Sequence, residues 1–227
     1  MVTIQEIISG ICWTITYIAL IYRGFKDKSY GMPLAALALN FAWECTFTFI
    51  YVPEQPAAMV VNCVWALFDV GILITLLKFG YPYFKKQFGV SKGIFFFGIG
   101  SALVFAFAIM IFGADFFAPL PFFGGNPFEA GKMIAMAQNA IMSVLFVQLF
   151  YSRKQQGDAM AGQSFWSALT KLIGTSLTVG LLYLFDGSGN WYFPETLNAI
   201  CFVFDVWYCV LLWCELKTRG ISVFKRF

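Results

Sequence analysis

"PLAALALNFAWECTFTFIY", residues Pro33–Tyr51, is a run of 19 residues opened by a proline, closed by an aromatic, and interrupted by one charge, Glu44. A span of the bilayer core needs about 20 mainly apolar residues. Six further stretches have the same character: Ile4–Tyr22, Ala57–Lys78, Gly93–Gly113, Ala130–Tyr151, Phe165–Phe185 and Phe193–Cys214. Of the 227 residues, 60% are hydrophobic and 12% charged, a balance outside the range of soluble domains. The connections are short. The expectation is one all-α, polytopic membrane domain over residues 1–227 with seven transmembrane helices.

Thirteen of the fifteen Lys and Arg fall in alternate loops or the tail: Arg23, Lys26, Lys28; Lys78, Lys85, Lys86, Lys92; Arg153, Lys154; Lys217, Arg219, Lys225, Arg226. The positive-inside rule then sets the N-terminus outside and the C-terminus in the cytosol. The opposite loops, "YVPEQPAA", "GADFFAPLPFFGGNPFEAGK" and "DGSGNWYFPE", are rich in Pro, Gly and aromatics. The longest, Gly113–Lys132, reads either as a lid over the outer mouth or as an ordinary surface loop. Glu6 stands at the start of the first apolar run, with no basic segment before it, so no removable signal peptide is read. The net charge of +3 reflects these orientation signals, and no nucleic-acid partner is expected.

There is no His, which removes imidazole catalysis and haem ligation. The six Cys sit in apolar segments without C-x-x-C spacing, so neither a disulfide framework nor a metal site is expected. Four ionisable residues fall inside spans: Glu44, Asp69, Lys171 and Asp205. Such residues are costly and normally face the bundle interior. Lys171 lies within two turns of the cytosolic end of its span, and snorkelling accounts for it. The carboxylates lie deeper. Counted from the outer ends at ~1.5 Å per residue, Glu44 is about 10 Å in and Asp69 and Asp205 about 18 Å.

Helical spacing puts each acid on a polar and aromatic stripe. Asn40 and Glu44 are i and i+4; Asn62, Trp65 and Asp69 follow i, i+3, i+7; Asn198, Cys201, Asp205 and Tyr208 continue the pattern. Either these stripes are interhelical hydrogen bonds that hold the bundle, or they line one cavity. Three acids without a buried base cannot all carry charge at that depth. A carboxyl kept neutral in a dry pocket is a general acid.

"NCVWALFDV" (Asn62–Val70) and "NAICFVFDV" (Asn198–Val206) share Asn-x6-Asp-Val in spans of the same direction. This is the trace a parallel 3+1+3 duplication leaves, or a chance match of a few letters. A transporter with midplane carboxylates fits the same layout, although spans two, three and seven lack helix-breaking pairs at midspan. A retinal photoreceptor needs a Lys in the seventh span, which has none within its apolar run.

"LNFAWE" with "FIYVP", "VWALFDV" and "CFVFDVWYCVLL" resemble the small membrane-integral terpene cyclases of fungal meroterpenoid and indole-diterpene pathways, which also occur in bacterial clusters. The resemblance implies seven helices and a cyclase that protonates the terminal epoxide, or alkene, of a polyprenyl chain on an aromatic, polyketide or indole head group. It assigns the protonating roles to Glu44 and Asp205. Asn40, Trp43, Asn62, Trp65, Asp69, Asn198 and Tyr208 are then the candidate substrate-binding residues. Ring faces suit a moving carbocation. Neither an Asp-rich magnesium motif nor D-x-D-D is present, so no cofactor or metal is expected. The implied partners are a lipophilic prenylated substrate, membrane lipid, and a prenyltransferase and an epoxidase of the same pathway. The implied location is the endoplasmic reticulum of a fungus or the cytoplasmic membrane of a bacterium.

Overall fold

A computed structural model describes residues 3–181 and 192–227. Seven α-helices lie among them: α1 (Ile4–Lys26), α2 (Leu34–Phe49), α3 (Pro56–Phe88), α4 (Lys92–Phe117), α5 (Pro127–Gln155), α6 (Phe165–Gly174) and α7 (Tyr192–Thr218). Their starts follow local chemistry. Thr3 and Glu6 form a capping box on α1, Ser91 caps α4, Asn126 caps α5 and Ser164 caps α6. Pro occupies the first turn of α3 and α5, where its missing N–H costs nothing.

Five helices, α1, α3, α4, α5 and α7, are long and apolar enough to cross a membrane. The other two differ from expectation. The stretch Pro33–Tyr51 yields a helix of 16 residues, because Pro33 lies outside the helix as its cap and the helix stops before Ile50. α6 has 10 residues and passes into a π-turn at Thr175–Val179, with 180 and 181 again helical; residues 182–185 of the expected sixth span, and most of "DGSGNWYFPE", lie outside the described residues. α3 runs ten residues past Lys78, to Phe88, so Lys78, Lys85 and Lys86 ride on a helix rather than a loop. Gly113–Lys132 is not one long loop either. α4 extends to Phe117 and α5 begins at Pro127, leaving a short connection with a single 3₁₀ turn at Pro121–Phe123.

The helices close a ring. α1 packs on α3 and α6, α2 on α3 and α5, and α7 on α5 and α6. α4 stands outside it against α2 and α5, burying the stripe Phe95, Ile99, Ala106, Met110, Ala114, of which Phe95 packs on Tyr81 and Phe84 of α3, and turning Phe97, Phe105, Phe112 and Phe116 outward. The principal core runs through Tyr17, Leu20, Ile72, Leu76, Phe146, Tyr208 and Leu212.

The basic residues gather at one end of the bundle, but not all of them in water. Arg153, expected as a loop charge, is fully buried, with its guanidinium 4.2 Å from the Tyr30 ring centroid and 3.7 Å from that of Tyr83. Arg23 is also buried and donates to the Phe227 carbonyl. The tail folds back over this end. Arg226 pairs with Asp27 at 2.6 Å, and Trp166 Nε1 donates to the Phe224 carbonyl at 2.9 Å.

Candidate active site

Two buried carboxylate clusters occupy the interior. The first is built by α1, α2, α3 and α5. Asn40 and Glu44 share a face of α2 as the i, i+4 spacing requires, and α3 brings Asp69 alongside. Asn40 Nδ2 donates to Asp69 Oδ2 at 2.8 Å and to the Tyr17 hydroxyl at 2.5 Å. Tyr17 donates in turn to Glu44 Oε1 at 3.3 Å, and Gln138 Nε2 donates to Asn40 Oδ1 at 3.0 Å. All five side chains are buried. Glu44 Oε2 and Asp69 Oδ1 have no hydrogen-bond partner, and no cation among the described residues forms an ion pair with either acid.

The second cluster is built by α5, α6 and α7. Lys171 Nζ lies 2.8 Å from both oxygens of Asp205 and 2.6 Å from Ser143 Oγ. Lys171 and Asp205 are each 1% exposed. The expectation of snorkelling is therefore overturned: Lys171 is the buried base that the sequence reading took to be missing. An ammonium has three protons, and these three acceptors use them all.

The two clusters touch α5 at different places. Gln138 and Ser143 are five residues apart, about 7.5 Å along the helix and about 140° around it. No hydrogen bond among the described residues joins Glu44 to Asp205.

The remaining expected residues divide. Trp65 stands beside the first cluster, with its ring 6.1 Å from that of Tyr17 and its Nε1 donating to Thr14 at 3.2 Å. Asn62, two turns from Asp69 on the same stripe, is buried with Nδ2 unpartnered. Trp43 is half-buried and ties α2 to α5 by donating to the Gly131 carbonyl at 2.8 Å. Asn198 donates to the Ser176 carbonyl at 3.4 Å, leaving Oδ1 unpartnered. Tyr208 belongs elsewhere: its hydroxyl donates to Gln163 Oε1 at 2.8 Å and its ring packs on Phe146. Among the described residues no three His, Cys, Asp or Glu side chains converge.

Tyr17, Gln138, Ser143 and Lys171 are the residues that sequence reasoning did not place in a site. Tyr17 had a weak signal: five residues inside Tyr22, it lies about 7.5 Å from the nearer end of its span, at the inner edge of an interfacial belt. Gln138 had one as well, as one of three amides, with Asn139 and Gln148, in a mainly apolar span.

The family model of Pyr4-like transmembrane terpene cyclases matches residues 1–218. Among characterised relatives, the chain is 34% identical over 190 residues to the Pyr4-family terpene cyclase mfmH of Annulohypoxylon moriforme, a match spanning 84% of this chain and 72% of that one. It is 26% identical over 222 residues to terpene cyclase ptmB of Penicillium ochrochloron, spanning 93% and 80%. A shorter match, 37% over 70 residues, to terpene cyclase pyr4 of Aspergillus fumigatus spans 31% and 29%. No solved structure matches the chain.

Proposed function

The chain belongs to the Pyr4-like transmembrane terpene cyclases, and from that premise we propose that it cyclises a polyprenyl chain by acid initiation, with Glu44 as the proton donor. The observation that carries this reading is the carboxyl of Glu44: it is buried, Oε1 is engaged by Tyr17, and Oε2 is left without a partner. A carboxyl held by one oxygen and free at the other is poised to hand over the proton on the free oxygen.

The step is an isomerisation. The proton passes from Glu44 Oε2 to the epoxide oxygen, the bond from that oxygen to the tertiary carbon breaks, and the oxygen becomes a hydroxyl. The π electrons of the next alkene close a ring and move the charge along the chain. A proton lost from the last cation balances the one supplied. With a terminal alkene the first proton goes to carbon instead. Positioned acid catalysis supplies about 10²- to 10⁴-fold; folding the polyene and excluding water must supply the rest. Trp65 and Tyr17 offer ring faces near the acid. Asn62 and Asp69, on one stripe of α3, and Asn198 on α7 offer polar groups for the substrate's oxygen functions. Asp205 carries the second acid role by resemblance, and its ion pair with Lys171 bears on that role.

The same reading takes α2 and α6 as crossing the membrane with the five longer helices, with the basic end in the cytosol. It also takes the halves as a parallel 3+1+3 repeat. The packing supports the repeat. α3 packs on α1 and α2 as α7 packs on α5 and α6, and the cross-pairs α1 with α6 and α5 with α2 are the exchange a pseudo-two-fold axis produces. A pathway prenyltransferase and an epoxidase would supply the substrate. The membrane would be the endoplasmic reticulum in a fungus and the cytoplasmic membrane in a bacterium.

The test is purified protein incubated with an epoxy-prenylated aromatic, with cyclised product followed by mass spectrometry. Glu44→Gln is expected to lower turnover at least 100-fold, in line with the contribution of a general acid, and chelation by EDTA is expected to leave wild-type turnover unchanged. Full activity in Glu44→Gln, or a strict magnesium requirement, would sink the proposal.

A further inference from the structure

We propose that Tyr17 is the positioning residue of the proton donor, orienting Glu44 so that its proton sits on Oε2, and that Asp205 is held out of proton donation by Lys171. The inference rests on the reading of Glu44 as the acid and adds the group that directs it.

With Asp69 as the carboxylate of the first cluster and Glu44 as its protonated acid, the direction of each hydrogen bond follows. Asp69 Oδ2 accepts, so the atom of Asn40 that meets it at 2.8 Å is the amide nitrogen. That nitrogen has a second N–H, and the Tyr17 oxygen lies 2.5 Å away to take it. With its oxygen occupied as an acceptor, Tyr17 turns its own proton to Glu44 Oε1 at 3.3 Å. An oxygen that accepts from Tyr17 does not also carry the carboxyl proton toward it. The acidic proton of Glu44 is consigned to Oε2, the oxygen that has no hydrogen-bond partner. Asn40 is the hub of this chain, and its opposite face is fixed by Gln138 donating to Oδ1 at 3.0 Å.

The second cluster has the opposite property. Lys171 spends its protons on Asp205 Oδ1, Asp205 Oδ2 and Ser143 Oγ. Both oxygens of Asp205 accept from the same ammonium, so neither is free to present a proton. What Asp205 contributes, it contributes as half of a closed ion pair. Removing its charge alone strands a buried ammonium and destabilises the protein; loss of activity in Asp205→Asn therefore does not identify an acid.

Steady-state kinetics on the full chain in detergent, with an epoxy-prenylated aromatic, test both halves. Tyr17→Phe is expected to lower kcat about 10- to 100-fold, the worth of a hydrogen bond to an ionising group, with KM changed less than threefold. In a Glu44→Asp background, where the shorter acid withdraws from the hydroxyl, the same change is expected to cost less than threefold. A packing role would give equal losses in both backgrounds and overturn the proposal, as would wild-type kcat in Tyr17→Phe or failure of that variant to fold. Lys171→Met combined with Asp205→Asn replaces the ion pair by a neutral pair and is expected to regain at least tenfold activity over Asp205→Asn alone. A double variant no more active than Asp205→Asn, folded or not, overturns the second half. No product from the wild type with epoxide or alkene substrates would refute the cyclisation reading itself, an outcome separate from any of these.

Discussion

The halves of this molecule carry the same short motif and use it differently. In α3, Asp69 faces an amide, Asn40; in α7, Asp205 faces an ammonium, Lys171. The amide gives one hydrogen bond to one oxygen and leaves the other open. The ammonium closes both. Burial is equal in the two cases, so depth alone does not make a carboxylate a reagent; the chemistry of the partner does. One half-site retains buried oxygens without partners at Glu44 and Asp69, while both oxygens of Asp205 are held.

The largest expected difference between the halves is in stability. Asp205→Asn leaves Lys171 charged and buried with only neutral acceptors, the new amide oxygen and Ser143, and breaking a buried pair in this way costs about 3–5 kcal/mol. Asp69→Asn keeps an oxygen for Asn40 to donate to and strands no charge, so a loss of about 1 kcal/mol is expected. Thermal unfolding of the two variants in one detergent checks the ordering. Equal losses would break the comparison, because they would show that Lys171 does not hold Asp205 as an ion pair.

A smaller difference concerns the two asparagines. A β-carbon at Gly180 would overlap the Asn198 side chain, so the turn after the π-segment of α6 depends on a residue without one. Asn62 in the first half is buried and has an unpartnered Nδ2. Gly180→Ala is expected to destabilise by about 1–3 kcal/mol, the usual cost of overpacking, measured by the same unfolding experiment. A silent substitution would show that the second half is as loosely built around its asparagine as the first.

Much of the first cluster was legible in the sequence. Helical periodicity put Asn40 with Glu44 and Asn62 with Asp69, because those pairs lie within single helices where spacing determines the face. What could not be read is which helices meet. Tyr17 and Gln138 enter the cluster only because α1 and α5 close the ring against α2 and α3. Lys171 was misread for a related reason. Six residues from Phe165, it fell within snorkelling reach of a helix end taken to be in water. That end is not in water: residues 159–165 are buried, and the tail covers them through Ser164 donating to the Arg226 carbonyl and Trp166 to that of Phe224. Arg153 was misread at the same end, where two tyrosine rings enclose a guanidinium that the positive-inside rule assigns to a loop. Hydropathy finds the five long apolar helices, but it counts depth from a boundary that tertiary structure can move.

The smallest expected effects come from α5, which serves both clusters. Ser143→Ala removes one of the three acceptors of Lys171 and replaces it with nothing, so a loss of about 1.5 kcal/mol, the lower end for a hydrogen bond to a charged group, is expected. Gln138→Leu removes a donor to Asn40, but it also removes Gln138 Oε1, a buried oxygen without a partner. Losing an unsatisfied acceptor offsets losing a hydrogen bond, and the net change in stability is expected to stay within about 1 kcal/mol of zero. Activity should respond the other way. Ser143→Ala leaves the Glu44 chain of hydrogen bonds intact, whereas Gln138→Leu releases the Asn40 amide from the contact that fixes its far side, and with it the orientation of Tyr17. The pair is measured together, unfolding temperature against kcat. A Gln138→Leu protein that is stable and slow, beside a Ser143→Ala protein that is less stable and fast, would separate a cluster organised for chemistry from one organised for structure; the reverse pattern would exchange their roles.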